Sequence, residues 1–234
     1  MNRSHQAKTA ILLFANSAQE EVKHKSIYRG KELFDALTNT TLKTLEKTGL
    51  AYFHFSEKEQ IGNTFGERFS NAIQTIFDGG YDKVITIGND TPSLKAHHIH
   101  EASKLLETNK VVLGPSLDGG FYLLGIQKAS FNKQQFTDLP WQTSTIKKIL
   151  LGLITADQAT KVSFLPSLSD LDAAEDIKRL FNFTLLLPKE IAAILLLILQ
   201  EFRTKYTISS IYFNSTKHPV FYNKGSPNYF SVIF

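Results

Sequence analysis

The stretch KVITIGNDTPSL, Lys83 to Leu94, decides the fold. Val84 to Ile87 is a short apolar run rich in β-branched residues, the pattern of a buried strand. Gly88-Asn89 interrupts it. Thr91 then reads as a helix N-cap and Pro92 as the first helical residue, so a helix is expected from Pro92 to Leu106. A buried strand that feeds a helix through a short turn is half of a βαβ unit. Asp90 is left over. The turn and cap are already supplied, so a carboxylate at the strand end has no structural task beyond favouring a helix N-terminus. A hard divalent cation takes few carboxylates and fills its shell with water and phosphate oxygens, and one Asp at such a position suits it.

The same grammar repeats outward from this stretch. Ala10 to Ala15 reads as the first strand, followed by a polar loop from Asn16 to Ser26. Leu33-Phe34, Leu37, Thr41-Leu42 and Leu45 recur at helical spacing, and Gly49 closes that helix near Lys47. Ala51 to Phe55 is a second strand. Phe65, Phe69, Ala72-Ile73 and Ile76-Phe77 mark one face of a helix that Gly79-Gly80 ends. Val111 to Leu113 and Phe121 to Ile126 are strands, Ser144 to Ile154 a helix, Val162 to Leu165 a strand and Ala173 to Phe181 a helix. Strands alternating with helices across short connections imply an α/β fold, a three-layer α/β/α sandwich around a mixed, mostly parallel sheet. Ligands bind such sheets outside the carboxyl ends of the strands. Asp90, Asp118, Asp170 and Asp172 all follow strands, so one acidic rim is expected.

Residues 1–182 carry this pattern. Residues 183–234 change character: Leu185 to Leu199 is apolar nearly all round, and Tyr206 to Phe234 is rich in aromatic and β-branched residues, alternating over Ile208 to Phe213. This C-terminal extension is compatible with a helix and a hairpin, is not an independent domain, and is a candidate homodimer surface.

Composition narrows the classes. The chain has 234 residues and no cysteine, which excludes disulfides, thiolate zinc sites and thiol nucleophiles. A net charge of +4, spread along the chain, does not argue for nucleic acid. The apolar core after Arg3 and Lys8 spans about six residues, short of a secretory segment, and Ile191 to Leu199 falls far below a membrane span. A cytoplasmic protein without membrane insertion is expected.

Three further segments carry candidate chemistry. In Gly114-Pro115-Ser116-Leu117-Asp118-Gly119-Gly120, Asp-Gly-Gly between strands is a turn signal, yet paired glycines also admit a ligand close to the backbone. Asp118 there can accept hydrogen bonds from sugar hydroxyls or act as a base. Asp172 with Glu175 forms a capping box before a helix, and is also a candidate second metal-facing carboxylate. In Gln60 to Phe69, Gly62 and Gly66 give an irregular helix entry; Arg68 can reach a phosphate or pair with Glu67 or a nearby acid, and the structural role is favoured. His97, His98 and His100 with Glu101 read as a solvated helix face, since no HExxH spacing is present.

Taken in order, Gly66-Glu67-Arg68, Gly88 to Pro92, Gly114-Pro115 with Asp118 to Gly125, Trp141 with Thr143, and Asp170-Leu171-Asp172 with Glu175-Asp176 resemble a bacterial GT-A-like transferase family. It is known as radical-SAM/selenodomain-associated transferase or nucleotide-diphospho-sugar glycosyltransferase. The resemblance covers roughly Ile11 to Leu180. It implies a Rossmann-like nucleotide-diphospho-sugar transferase fold and a metal-dependent glycosyltransferase with a nucleotide-sugar donor and an unidentified acceptor. It further implies Mg²⁺ or Mn²⁺ held by Asp90 with Asp172, and Asp90 and Asp118 as the catalytic carboxylates. Nucleotide contacts would come from Ala15, Asn16, Lys23, Lys25, Gly88 and Asn89, and substrate contacts from Gly119, Gly120, Trp141 and Thr143. The family is also similar to the phospholactate guanylyltransferases, which makes nucleotidyl transfer the alternative activity. A degenerate, non-catalytic binding protein is a third reading. The chain departs from its relatives in the first loop. Lys23 and Lys25 align with a lysine and an arginine of the usual Lys-Thr-Arg-Leu. Pro and Gly are missing, and Glu20-Glu21 bring negative charge, which disfavours a triphosphate.

Overall fold

A computed structural model describes residues 7–25, 27–117, 119–155, 161–171 and 187–212, with the backbone alone over 202–212. Six strands form one sheet: β1 (Thr9–Phe14), β2 (Ala51–Phe55), β3 (Lys83–Ile87), β4 (Val111–Pro115), β5 (Phe121–Gln127) and β6 (Val162–Phe164). The described helices are α1 (Ala18–His24), α2 (Gly30–Glu46), α3 (Phe65–Asp78), α4 (Ala96–Leu105), α5 (Lys133–Thr137), α6 (Ile146–Thr155) and α7 (Lys189–Tyr212), with a 3-10 turn at Lys128–Ser130.

The strand order is β2-β1-β3-β5-β4-β6. β1 runs parallel to β2 and β3, and β4 parallel to β6, while β5 is antiparallel to both β3 and β4. Every strand but β5 therefore ends at the same rim. The chain leaves β1 for β2 on one side and returns to β3 on the other, so the switch point lies between β1 and β3.

Alternation along β1 divides the core. Ala10 and Leu12 join a cluster with Phe69, Ile73, Ile76 and Phe77 of α3 and Leu150 of α6. Ile11 and Leu13 join the opposite one with Ile99 and Ala102 of α4. Helices cover both faces, which gives the α/β sandwich expected. All five residues of β3 are buried, as its apolar run requires. Truncating one such side chain to alanine costs about 2–5 kcal/mol.

Two local readings are corrected. Residues 18–24 form helix α1 rather than a loop. The Ser17 hydroxyl accepts from the Glu20 amide, acids fill the first turn and Lys23 and His24 the last, so capping and the helix dipole stabilise a segment without an apolar stripe. After β3 the helix begins at Ala96, not Pro92. Thr91 to Leu94 makes a turn closed by the Leu94 amide on the Thr91 carbonyl, 3.0 Å. Thr91 spends its hydroxyl elsewhere, and the cap role passes to His98, whose Nδ1 accepts the Lys95 amide at 3.1 Å. His98 is buried, so the His97–Glu101 segment is only partly a solvated face. Burial, with His97 alongside, lowers its pKa.

The chain divides into two compact units, Met1–Leu199 and Gln200–Phe234. In the first, α7 buries Ile191, Ile194, Leu195 and Ile198. The described part of the second, 200–212, is helical. Alternation over Ile208 to Tyr212 therefore does not make a strand, and the rest of the expected hairpin lies outside the described residues. So does the helix expected over Ala173 to Phe181. Among the described residues no helix is long and apolar enough to cross a membrane.

Candidate functional site

The carboxyl ends of β1 and β3 frame a cavity of about 660 Å³. Its lining includes Ala15 and Asn16 after β1, Lys25 at the end of α1, Gly88, Asn89 and Asp90 after β3, Gly120 before β5, and Thr143. A second cavity of about 290 Å³ shares Phe14, Phe65, Gly88, Asp90 and Gly120 with it and adds Ser116, Tyr122, Trp141 and Asp170. Sequence reasoning had grouped most of these residues, and the fold brings them together. Lys23 is different: it is exposed, ion-paired with Glu20 at 2.5 Å, and does not line either cavity. Asp118 and Asp172 lie outside the described residues.

The β1 side is built from a polar network. His54 Nε2 lies 2.9 Å from the Ala15 carbonyl, Asn16 donates to Glu21 at 3.0 Å, and Gln60 donates to Asn16 at 3.2 Å. Ser17 donates its amide and hydroxyl to Glu57, and these bonds hold that carboxylate below its ordinary pKa. The two acids of the first loop are both engaged. Glu20 pairs with Lys23 and His24; Glu21 faces the cavity and sits 3.6 Å from Lys25. The negative charge expected to oppose phosphate is thus offset locally.

The β3 side presents Asp90. Gly88 makes room for it: a Cβ there would sit 2.9 Å from the Asp90 carboxylate. Asn89 turns its amide away to the Thr38 hydroxyl at 2.8 Å, leaving its backbone to the cavity. Asp90 is fastened to the segment after β6. The Leu171 amide donates to the Asp90 carbonyl at 2.8 Å, and the Thr91 hydroxyl donates to the Asp170 carboxylate at 2.6 Å. That segment runs beside the end of β4, with Leu168 bonded to Pro115 and Leu117. Asp90 and Asp170 thereby line one cavity. Two half-buried carboxylates beside open space fit a hard cation that keeps part of its water. Among the described residues no group of three His, Cys, Asp or Glu could hold a metal ion.

The third side is aromatic. Phe14, Phe65, Phe69, Phe121 and Trp141 are linked by ring contacts of 4.9–6.1 Å. Trp141 donates its indole N–H to the Phe136 carbonyl at 2.6 Å, so only its ring serves the cavity. Thr143 spends its hydroxyl on the Pro140 carbonyl. Gln142 lines both cavities at φ 61°, the left-handed region, a strain of the kind kept at ligand sites. β4 and β5 pair antiparallel, and in their connection Gly119 adopts φ 105°.

Sequence reasoning put Asp170 on the acidic rim without giving it a site role, favoured a structural role for Arg68, and missed Gln60 and Gln142. Asp170 had a usable signal, since Asp-Leu-Asp follows a strand. Gln142, between Trp141 and Thr143, had none.

The chain is similar to transferases of nucleotidyl and sugar groups. Residues 35–143 match the family model DUF2064, described as an uncharacterized protein conserved in bacteria. A 2-phospho-L-lactate guanylyltransferase from Methanocaldococcus vulcanius is 25% identical over 170 residues, covering 70% of this chain and 74% of its own. A crystal structure of a protein assigned to the nucleotide-diphospho-sugar transferases, from Desulfovibrio desulfuricans G20, superposes with a TM-score of 0.63 at 22% identity. It covers 76% of this chain and 88% of its own. The fold is therefore that of the nucleotide-diphospho-sugar transferases. A manganese complex of Rv0371C from Mycobacterium tuberculosis H37Rv covers 75% of this chain and 98% of its own, at 11% identity and a TM-score of 0.45, too distant to bear on this site.

Proposed function

We propose that this chain is a transferase that takes a nucleotide-diphospho-sugar donor with a divalent cation and passes the sugar to an acceptor hydroxyl. The observation that carries this reading is the position of the larger cavity, at the β1/β3 switch point with Asp90 on its border. Its volume suits a nucleotide-sized ligand. The backbone at Ala15, Asn16, Gly88 and Asn89 meets the nucleotide. Lys25 meets the phosphates, giving up Glu21, and Lys23 can join only by leaving Glu20. Asp90 would hold Mg²⁺ or Mn²⁺, with Asp172 as the second ligand, and the cation would supply positive charge to neutralise a leaving diphosphate. Gly119, Gly120, Trp141 and Thr143 border the acceptor. As the acceptor oxygen bonds to C1 of the donor sugar, Asp118 takes its proton. The bond from C1 to the diphosphate oxygen breaks, and the nucleoside diphosphate leaves with the electron pair.

A second reading is nucleotidyl transfer: the acceptor attacks the α-phosphate of a nucleoside triphosphate and pyrophosphate leaves. The likeness to the guanylyltransferase favours it, and the pairing of Glu20 and Glu21 weakens the charge argument against a triphosphate. Its acceptor would be a phosphorylated acid, as in that relative's name.

A thermal-shift screen of nucleotides and nucleotide sugars, with and without Mn²⁺, tests the binding common to both. Asp90→Ala should lose the Mn²⁺-dependent shift while remaining folded; an undiminished shift sinks the assignment. Pyrophosphate release on any triphosphate selects the second reading. Nucleotide binding without turnover of any donor selects a non-catalytic binding protein. The dimer surface proposed for residues 183–234 is checked by light scattering of the full chain.

A further inference from the structure

The polar network on the β1 side of the larger cavity has a single hydrogen-bond direction. Gln60 Nε2 lies 3.2 Å from the Phe55 carbonyl, which can only accept, so the amide nitrogen is the atom on that side. The same nitrogen donates to Asn16 Oδ1 at 3.2 Å, and both of its N–H groups are then engaged. With Oδ1 turned to Gln60, Asn16 presents Nδ2 to Glu21, whose Oε1 accepts it at 3.0 Å. Gln60 thus orients Asn16, and Asn16 orients Glu21. All three residues line the cavity. The Glu21 side chain is only 14% exposed, so water competes little for its oxygens.

The relay leaves a donor beside acceptors. Among the described residues, Asn16 Nδ2 has one N–H to offer after Glu21. An ionised carboxylate has about four lone-pair sites. Asn16 occupies one of them, and Lys25 pairs with the other oxygen at 3.6 Å. Under the reading above, Lys25 turns from Glu21 to the phosphates, which exposes that second oxygen to the ligand. A donor followed by two acceptors complements an edge that carries a carbonyl followed by two N–H groups. Guanine has this edge in O6, N1–H and the N2 amino group. Adenine and cytosine pair an amino group with a ring-nitrogen acceptor and satisfy less of the wall. Uracil sets N3–H between two carbonyls, so its second carbonyl faces a carboxylate oxygen with no proton between them. Such a repulsive contact discriminates as effectively as an added bond.

We infer that Asn16 and Glu21 form a nucleobase subsite in the larger cavity, that it selects guanine over uracil, and that Gln60 is its positioning residue. The subsite rests on the reading of this cavity as a nucleotide site; the order of the bases comes from the direction of the relay.

Isothermal titration calorimetry of the full-length protein with GDP, IDP, ADP, CDP and UDP, each with Mg²⁺, tests it. GDP should bind about tenfold or more tighter than UDP, with ADP and CDP between them. IDP lacks only the N2 amino group and should bind about tenfold weaker than GDP, the scale of one hydrogen bond to a charged group. Glu21→Gln keeps an acceptor for Asn16 and replaces the second oxygen with an N–H donor. It should lower the GDP-to-UDP affinity ratio by about tenfold or more and narrow the gap between GDP and IDP. Phosphate and cation contacts are common to all five ligands. A disturbed Lys25 or a weakened fold therefore moves every affinity together and leaves the ratios alone. Gln60→Leu should lower the same ratio by a smaller factor, and an unchanged ratio removes Gln60 from the proposal. UDP bound by the unaltered protein as tightly as GDP overturns the inference, as do ratios untouched by Glu21→Gln. Guanine selectivity without turnover of any GDP-sugar or of GTP removes the transferase reading and leaves the subsite. Equal binding of all five removes the subsite alone, and failure of every nucleotide to bind removes both.

Discussion

The two cavities share Asp90 and Gly120 yet are built by different means. The larger is walled by chain ends held in a hydrogen-bond network: His54 on Ala15, Gln60 on Asn16, Asn16 on Glu21. Its cation Lys25, the C-cap of the short helix α1, pairs with Glu21 at 3.6 Å and lies over the Phe34 ring. The smaller is walled by rings that pack into the core and by a carboxylate fixed by Thr91. Polar walls that include a cation can accommodate a charged ligand. A packed aromatic wall sets shape. Asp90 lines both cavities, so its charge is felt in each.

The largest effect that separates them is expected from Gly66→Ala. A Cβ on Gly66 would meet the Thr137 carbonyl and Trp141, and the carbonyl is backbone that cannot swing away. Overpacking of this kind costs about 1–3 kcal/mol. Chemical denaturation should show that loss, and tryptophan emission should shift, while nucleotide binding in the larger cavity persists. If nucleotide binding falls in step with the tryptophan change, the two cavities are one mechanical unit. Lys25→Ala comes next. It should weaken nucleotide binding by about tenfold, the scale of one charge-assisted hydrogen bond, and leave tryptophan emission unchanged. A change in both would break the separation of the two cavities.

Thr64→Ala is smaller. Thr64 caps α3 with a reciprocal Glu67 capping box, and α3 carries Phe65, which both cavities share. The expected loss is about 1 kcal/mol, read as a lower Tm with nucleotide binding retained. The smallest effect is in pH. Glu57 has its folded pKa lowered from 4.5 by the Ser17 amide and hydroxyl. Its stabilisation is therefore fully present above about 4.5 and disappears as pH falls through the lowered folded value. Glu57→Gln should flatten that part of the stability profile, and acid should loosen α1 and the larger cavity before the aromatic wall.

Much of the frame was legible because burial writes a strong pattern. The continuous apolar run of β3, the alternation of α3 and the glycines closing α2 and α3 leave few alternatives. Asp90 was legible for the opposite reason, as a charged residue where packing asks for none. What escaped depends on contacts distant in sequence. Thr91 looks like a cap until Asp170, 79 residues on, claims its hydroxyl. The helix then starts four residues beyond Pro92, at Ala96, with His98 supplying the cap. Helix α1 escaped because it buries little apart from Ala18, so no apolar periodicity announces it. Lys23 and Lys25 are two residues apart on that segment. Sequence cannot tell which turns inward, and the structure places Lys25 in the cavity and Lys23 in solvent.

The antiparallel β5 has a consequence for how the protein is made. Its hairpin with β4 is local, but its other edge closes β3, pairing Ile87 with Leu123. Those partners are 36 positions apart, 123 minus 87. At roughly 5–20 residues per second the ribosome needs about 2–7 s to bridge that interval. For that time a nascent chain that has already joined β1 to β3 carries an open strand edge rich in apolar residues, the kind of surface that attracts chaperones and neighbouring chains. A pause in translation before β5 has emerged from the ribosome would prolong the exposure; one after it has emerged would not.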